Sequence, residues 1–243
     1  YLKDWHFINE TDNEGIYDVP LFFKRDLLTP FLLEYDGSDY RFLYWGAEGS
    51  STGLHSDVLG SYSWSYNVWG EKLWTFIYDD EDGSSVELVQ KSGEIVFVPS
   101  MLKHTVKNMV ETISVNQNWI LPSNLATVYD LLLVEAESVR VELAGWGLTT
   151  VTTEEEERML RGCCGLNVSL FFLLVLRGLI VSLIGENEDG VSGSGRLSKS
   201  EVEREQSHMV RVLNAILENT QVRGKVSEEA RTLAMEVADL TII

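Results

Sequence analysis

The residues best suited to chemistry lie in Gly53-Leu54-His55-Ser56-Asp57 and, further along, at His104. Successive side chains of a strand alternate sides, so an imidazole and a carboxylate two residues apart can share one face. A further imidazole would complete a facial triad, which holds Fe(II) on one side and leaves positions open for substrate and oxygen. The same ligands also accept Mn(II). His104 is the candidate third ligand, at the start of a strand that follows Phe97-Val98-Pro99. By itself a His-x-Asp pair is a weak signal, since it occurs by chance and a lone histidine is more often structural. The other two of the four histidines offer less. His6 sits beside Trp5 in an aromatic segment and suits packing, and His208 falls in a polar helix and suits solvent.

These residues need a scaffold. Between Tyr40 and Ile120 the chain reads as short strands rich in Val, Ile, Phe, Tyr and Trp: Tyr40–Gly46, Ser61–Val68, Lys72–Tyr78, Val86–Gln90, Glu94–Pro99, His104–Met109 and Thr112–Ile120. Turn residues at 69–71, 79–85 and 91–93 separate them, a pattern of sandwiches and barrels. After Pro122 apolar residues recur at helical spacing in Leu125–Leu143, Glu154–Leu160, Asn167–Ile184, Ser200–Leu217 and Ser227–Leu240. Asn124 suits a helix start, and Ser200-Glu201-Val202-Glu203 suits a capping box. The expected organisation is a β domain over 1–122, helices over 123–184 that pack on it or dimerise, a flexible acidic Gly/Ser loop over 185–200, and terminal helices over 201–243. Leu166–Ile184 approaches the ~20 apolar residues of a membrane span. Arg177 and Gly178 interrupt it, and a charge at the bilayer centre costs several kcal/mol, so a buried or dimer-forming helix is expected.

Composition narrows the partners. Hydrophobic residues make up 44 % and aromatics 10 %, enough for a real core, and the formal net charge is −19. Such a surface repels phosphate backbones and favours a basic protein partner. The two cysteines, Cys163 and Cys164, are adjacent and cannot frame a disulfide scaffold, which fits a reducing compartment. No basic residue followed by a short apolar stretch opens the chain, so no secretory leader is expected. The expected location is cytoplasmic or nuclear.

Several ordered elements together carry a more specific signal. The run Tyr40-Arg-Phe-Leu-Tyr-Trp-Gly-Ala-Glu-Gly-Ser-Ser-Thr-Gly-Leu-His-Ser-Asp resembles the metal strand of JmjC-type oxygenases. Ser61-Tyr-Ser-Trp-Ser-Tyr-Asn-Val-Trp-Gly-Glu-Lys-Leu-Trp, Phe97-Val-Pro-Ser, His104 with Asn108, and Asn116-Gln-Asn-Trp-Ile resemble the strands that follow there. Tyr1-Leu-Lys-Asp-Trp-His and Arg161-Gly-Cys-Cys-Gly-Leu-Asn point to a particular branch of that family. The resemblance runs from Tyr1 to about residue 184.

It implies a double-stranded β-helix, the cupin-like jelly roll, followed by a helical region. It implies Fe(II), 2-oxoglutarate and O₂, with His55, Asp57 and His104 as metal ligands and Lys72 gripping the distal carboxylate of 2-oxoglutarate. Thr52 is implied to bond the same carboxylate, and Ser65, Asn116, Tyr44 and Asn67 to face the pocket. The implied activity is hydroxylation of a protein side chain, a lysine of a translation termination factor. Histone lysine demethylation and a non-catalytic binding role are the alternatives. The departures are Gly53, where proline is common, and the turn at 79–85, where relatives often carry prolines. Relatives also carry a further N-terminal portion, and its absence would put activity in doubt.

Overall fold

The computed structural model describes residues 1–11, 15–79, 83–147, 151–186 and 197–240. The chain divides into two compact units, residues 1–20 with 28–120, and residues 21–27 with 121–243.

Among the described residues the first unit has nine strands: β1 (Leu2–Trp5), β2 (Arg41–Gly46), β3 (Ser51–His55), β4 (Tyr62–Trp69), β5 (Glu71–Ile77), β6 (Ser85–Lys91), β7 (Ile95–Val98), β8 (Lys103–Asn108) and β9 (Thr112–Trp119). They form two antiparallel sheets, ordered β1-β2-β9-β4-β7 and β3-β8-β5-β6. The pairing is nested: β2 lies on β9, β3 on β8, β4 on β7 and β5 on β6. A long hairpin wrapped so that its arms alternate between two sheets is a jelly roll. The turn over 79–85 falls partly outside the described residues. Two short helices, α1 (Phe7–Thr11) and α2 (Leu28–Tyr35), belong to the same unit.

Alternation along the strands decides what faces the interior. On β5, Lys72, Trp74 and Phe76 are buried while the residues between them are only partly covered. Trp74, Phe76, Val96, Val98 and Val106 form an apolar cluster. Polar side chains of the same inward parity, Ser63 and Ser65 on β4 and Ser114 and Asn116 on β9, occupy another part of the interior. The β4–β5 turn needs Gly70, which has φ 87°, and a Cβ there would stand 2.2 Å from the Glu111 carbonyl oxygen.

Two strands were not among the expected runs. β1 is a short edge strand whose register shifts against β2, with Asp4 at φ 54°. β3 is five residues long and contains a glycine.

The second unit contains α3 (Leu125–Gly145), α4 (Thr153–Cys164), α5 (Val168–Glu186), α6 (Lys199–Glu218) and α7 (Glu228–Leu240). Thr152 caps α4 by accepting from the Glu155 amide, while the Glu155 carboxylate accepts from the Thr152 amide. The capping box of α6 forms at Ser198 with Glu201, two residues before the expected Ser200. α5 is long and apolar enough to cross a membrane by length and composition, and 50 % of its apolar stretch is buried within the chain. Gly178 permits close packing there, since a Cβ would meet Leu27 at 2.9 Å and Met209 at 3.3 Å. Glu157 seats the start of α5 by accepting from the Ser169 amide and hydroxyl, each at 2.9 Å, and it pairs with Lys225 at 3.3 Å. The acidic Gly/Ser loop expected over 185–200 falls mostly outside the described residues.

Candidate metal centre

His55 is the last residue of β3 and stands opposite His104 on β8, with ring centroids 4.3 Å apart. Asp57 joins them by a route other than strand alternation. β3 carries an irregularity between Thr52 and His55 and then ends. Asp57, at φ −63° and ψ 149°, instead heads a single 3-10 turn over Val58–Gly60. That turn is tight: Leu59 sits at φ 60°, Gly60 at φ 57°, and Ser61 donates its amide to the Val58 carbonyl. One ligand atom from each of His55, Asp57 and His104 lies within 4.8 Å of the others.

The surroundings prepare these atoms for a cation. His55 donates Nδ1–H to the Gly53 carbonyl at 2.9 Å, and His104 donates Nδ1–H to the Leu102 carbonyl at 3.0 Å. A carbonyl only accepts, so both rings keep their Nε2 lone pairs available for a metal. Burial holds the His104 imidazole below its ordinary pKa, opposed by the Leu102 carbonyl and the Asp57 charge, which favours the neutral ligand form. Trp74 and Phe76 flank His104, with ring centroids at 5.5 and 5.9 Å. Ser63 donates its hydroxyl to Asp57 Oδ2 at 2.7 Å.

Lys72 opens into the same pocket as the triad. The side chain is only 2 % exposed, and its Nζ donates to the Ser114 hydroxyl. Among the described residues no carboxylate pairs with it, and burial pushes its pKa down to about 7. The Tyr44 ring lies 5.8 Å from the ammonium. Ser65 Oγ is buried with no hydrogen-bond partner among the described residues. A buried cation without an anion and a buried hydroxyl without a partner are the demand that a small carboxylate ligand would meet.

Thr52, Tyr44, Ser65 and Asn116 line this pocket together with Lys72 and the triad. Asn67 does not. Its amide donates to the Gly70 carbonyl at 2.9 Å and ties down the β4–β5 turn, where β4 pairing with β9 becomes irregular. Tyr1 and Ser63 also line the pocket, and neither was among the expected site residues. Tyr1 immediately precedes β1, a strand too short to show periodicity. Ser114 shares the parity of Asn116, whose Nδ2 donates to Ser114 Oγ at 3.1 Å, and parity could have found it. Ser63 shares the parity of Ser65.

A larger apolar cavity of about 400 Å³ lies on the other face of the same sheet, against Leu43, Trp64, Tyr66, Ile113 and Val115. Among the described residues Asp18 is the one charged side chain that lines it, so the metal chemistry belongs to the smaller, polar pocket.

No protein-family model matches the chain. Among curated proteins it is 33 % identical over 203 residues to the zebrafish (Danio rerio) "2-oxoglutarate and iron-dependent oxygenase JMJD4", covering 70 % of this chain and 48 % of that protein. It is 32 % identical over 226 residues to the Homo sapiens JMJD4, covering 78 % and 54 %. It is 34 % identical over 224 residues to the Arabidopsis thaliana "Arginine-specific demethylase JMJ20", covering 73 % and 48 %. The chain thus spans about half the length of the curated relatives it matches. Similar solved structures include the Drosophila melanogaster CENP-C cupin domain, with TM-score 0.30 and 9 % identity over 32 % of this chain and 59 % of that one. A cupin superfamily protein from Desulfitobacterium hafniense gives TM-score 0.27 and 19 % identity over 33 % and 65 %. The jelly roll itself is read from the nested strand pairing.

Fold, ligand set and relatives agree on a class: a cupin-type jelly roll homologous to the JmjC-domain oxygenases that depend on iron and 2-oxoglutarate. Within that class its curated relatives include the JMJD4 proteins and the plant demethylase JMJ20.

Proposed function

We propose that this chain carries the catalytic centre of an Fe(II)- and 2-oxoglutarate-dependent dioxygenase that hydroxylates a protein side chain, a lysine of a translation termination factor. One observation carries the reading: a His-Asp-His cluster and a buried, anion-free lysine share a single pocket. His55, Asp57 and His104 would hold the iron through two neutral Nε2 atoms and one carboxylate oxygen. Lys72, with Thr52 and Asn116 nearby, would hold the distal carboxylate of 2-oxoglutarate and so fix its other end toward the metal. When bound, the iron and 2-oxoglutarate supply O₂ activation coupled to oxidative decarboxylation. The protein's own work is positioning: fixed ligands, a preorganised cation and a small pocket that limits water.

The net charge of −19 supports a basic, lysine-bearing protein partner over nucleic acid. A cytoplasmic or nuclear location, and a homodimer through the C-terminal helices, complete the reading.

Anaerobic titration with Fe(II) and 2-oxoglutarate tests the site. A visible charge-transfer band that His55→Ala removes is the expected result, and no band from the folded wild type would overturn it. Mass spectrometry of the product tests the reaction, since hydroxylation adds one oxygen atom to the substrate. Removal of a methyl group as formaldehyde would favour a second reading, demethylation, which similarity to the demethylase JMJ20 supports.

A further inference from the structure

We infer that Ser63 is a positioning residue of the metal centre, which holds Asp57 so that one chosen carboxylate oxygen faces the ion. The inference rests on the metal-site reading above. Asp57 is the least supported of the three ligands. His55 and His104 lie on paired strands and each ring is fixed by a backbone carbonyl. Asp57 instead follows the end of β3 and heads a one-turn 3-10 segment with two successive residues at positive φ. Its backbone is anchored through that turn by Ser61 and by Ser100, whose hydroxyl donates to the Gly60 carbonyl at 2.6 Å. None of those bonds reaches the carboxylate. The Ser63 hydroxyl does, at 2.7 Å on Oδ2.

Ser63 is itself rigidly placed. It is the second residue of β4 and is paired on both sides, opposite Val98 on β7 and Asn118 on β9, and is 8 % exposed. A hydroxyl on a central strand therefore fixes a carboxylate on a turn. The bond takes one lone pair of Oδ2 and fixes the carboxylate's rotation, which on this inference favours Oδ1 as the oxygen offered to the cation. Without that bond the side chain could rotate about its terminal torsion, which is broad and poorly restrained, and bind through either or both oxygens. Partners that orient metal ligands typically change metal affinity by roughly 10- to 100-fold when removed.

The test uses the full chain and Co(II), whose absorption spectrum reports coordination. Ser63→Thr keeps the hydroxyl, and Ser63→Val has the same shape without it, so the pair separates the bond from packing. The expected result is Co(II) affinity for Ser63→Val at least about tenfold weaker than for Ser63→Thr, with an altered visible spectrum and similar metal-free melting temperatures. Ser63→Ala should behave as Ser63→Val does. Equal affinities and spectra for Ser63→Thr and Ser63→Val would overturn the inference while leaving the metal site standing, provided the wild type binds Co(II) and His55→Ala does not. Failure of the wild type to bind Co(II) would overturn both, and Ser63 would then only pair a partly buried carboxylate.

Discussion

At the scale of single residues, the site depends on charges and lone pairs placed where water is scarce. Lys72 carries the sharpest consequence. Replacing it with Met should weaken 2-oxoglutarate binding by roughly 30- to 5000-fold, the usual loss when one partner of a buried charge pair is removed, and leave Co(II) affinity unchanged by titration. The pH dependence follows from its pKa of about 7 in the pocket without an anion. Only the protonated amine attracts a dicarboxylate. Affinity for 2-oxoglutarate should be highest below that value and fall as pH rises through and above it, with proton uptake on binding measurable by calorimetry in buffers of different ionisation enthalpy. The opposite sign applies to folding. The unfolded chain holds this proton up to the ordinary lysine value of 10.5, so between about 7 and 10.5 the unfolded state binds more protons and this lysine's contribution to stability rises with pH. In urea titrations of the metal-free chain, Lys72→Met should remove that part of the slope.

At the scale of elements, turns and caps decide whether the strands deliver these residues. Gly70 turns β4 into β5 two residues before Lys72, at a backbone conformation and a proximity that admit no side chain. Gly70→Ala should cost about 2–3 kcal/mol in a urea melt and also weaken 2-oxoglutarate binding, because the start of β5 must shift. Thr152→Ala offers a contrast. It removes the capping box of α4, which is worth about 1 kcal/mol, and should lower the melting temperature without changing Co(II) or 2-oxoglutarate affinity.

At the scale of the whole molecule, the two units raise different questions. The jelly roll gathers the His55-Asp57-His104 cluster in a pocket, whereas the helical unit must account for a long apolar helix. The close approach of Leu27 and Met209 to Gly178 on α5 fits a helix that packs against protein. Gly178→Leu should then destabilise the chain by about 1–3 kcal/mol through overpacking, measured by thermal melt of the soluble protein. A helix facing lipid would accept leucine there, and the protein would sediment with membranes on fractionation.

Much of the site was legible in the sequence because its chemistry is local and its scaffold periodic. His104 and Lys72 stand in expected strand runs, His55 ends β3 with Asp57 two residues on, and the strand-like runs between Tyr40 and Ile120 correspond to seven of the nine strands among the described residues. Ser65 and Asn116 were expected from the family resemblance, and it is the β4–β9 register, in which they stand opposite one another, that puts them on one face. What alternation cannot show is where a strand stops. Asp57 reaches the metal site through a turn, and Asn67 leaves the pocket where β4 becomes irregular. Tyr1 enters only because β1, which it precedes, pairs with β2. Residue types and their order thus determined the chemistry available to this protein. Which side chains meet at one point was decided by register and by backbone conformation at a few turns, both set by contacts far apart in the chain.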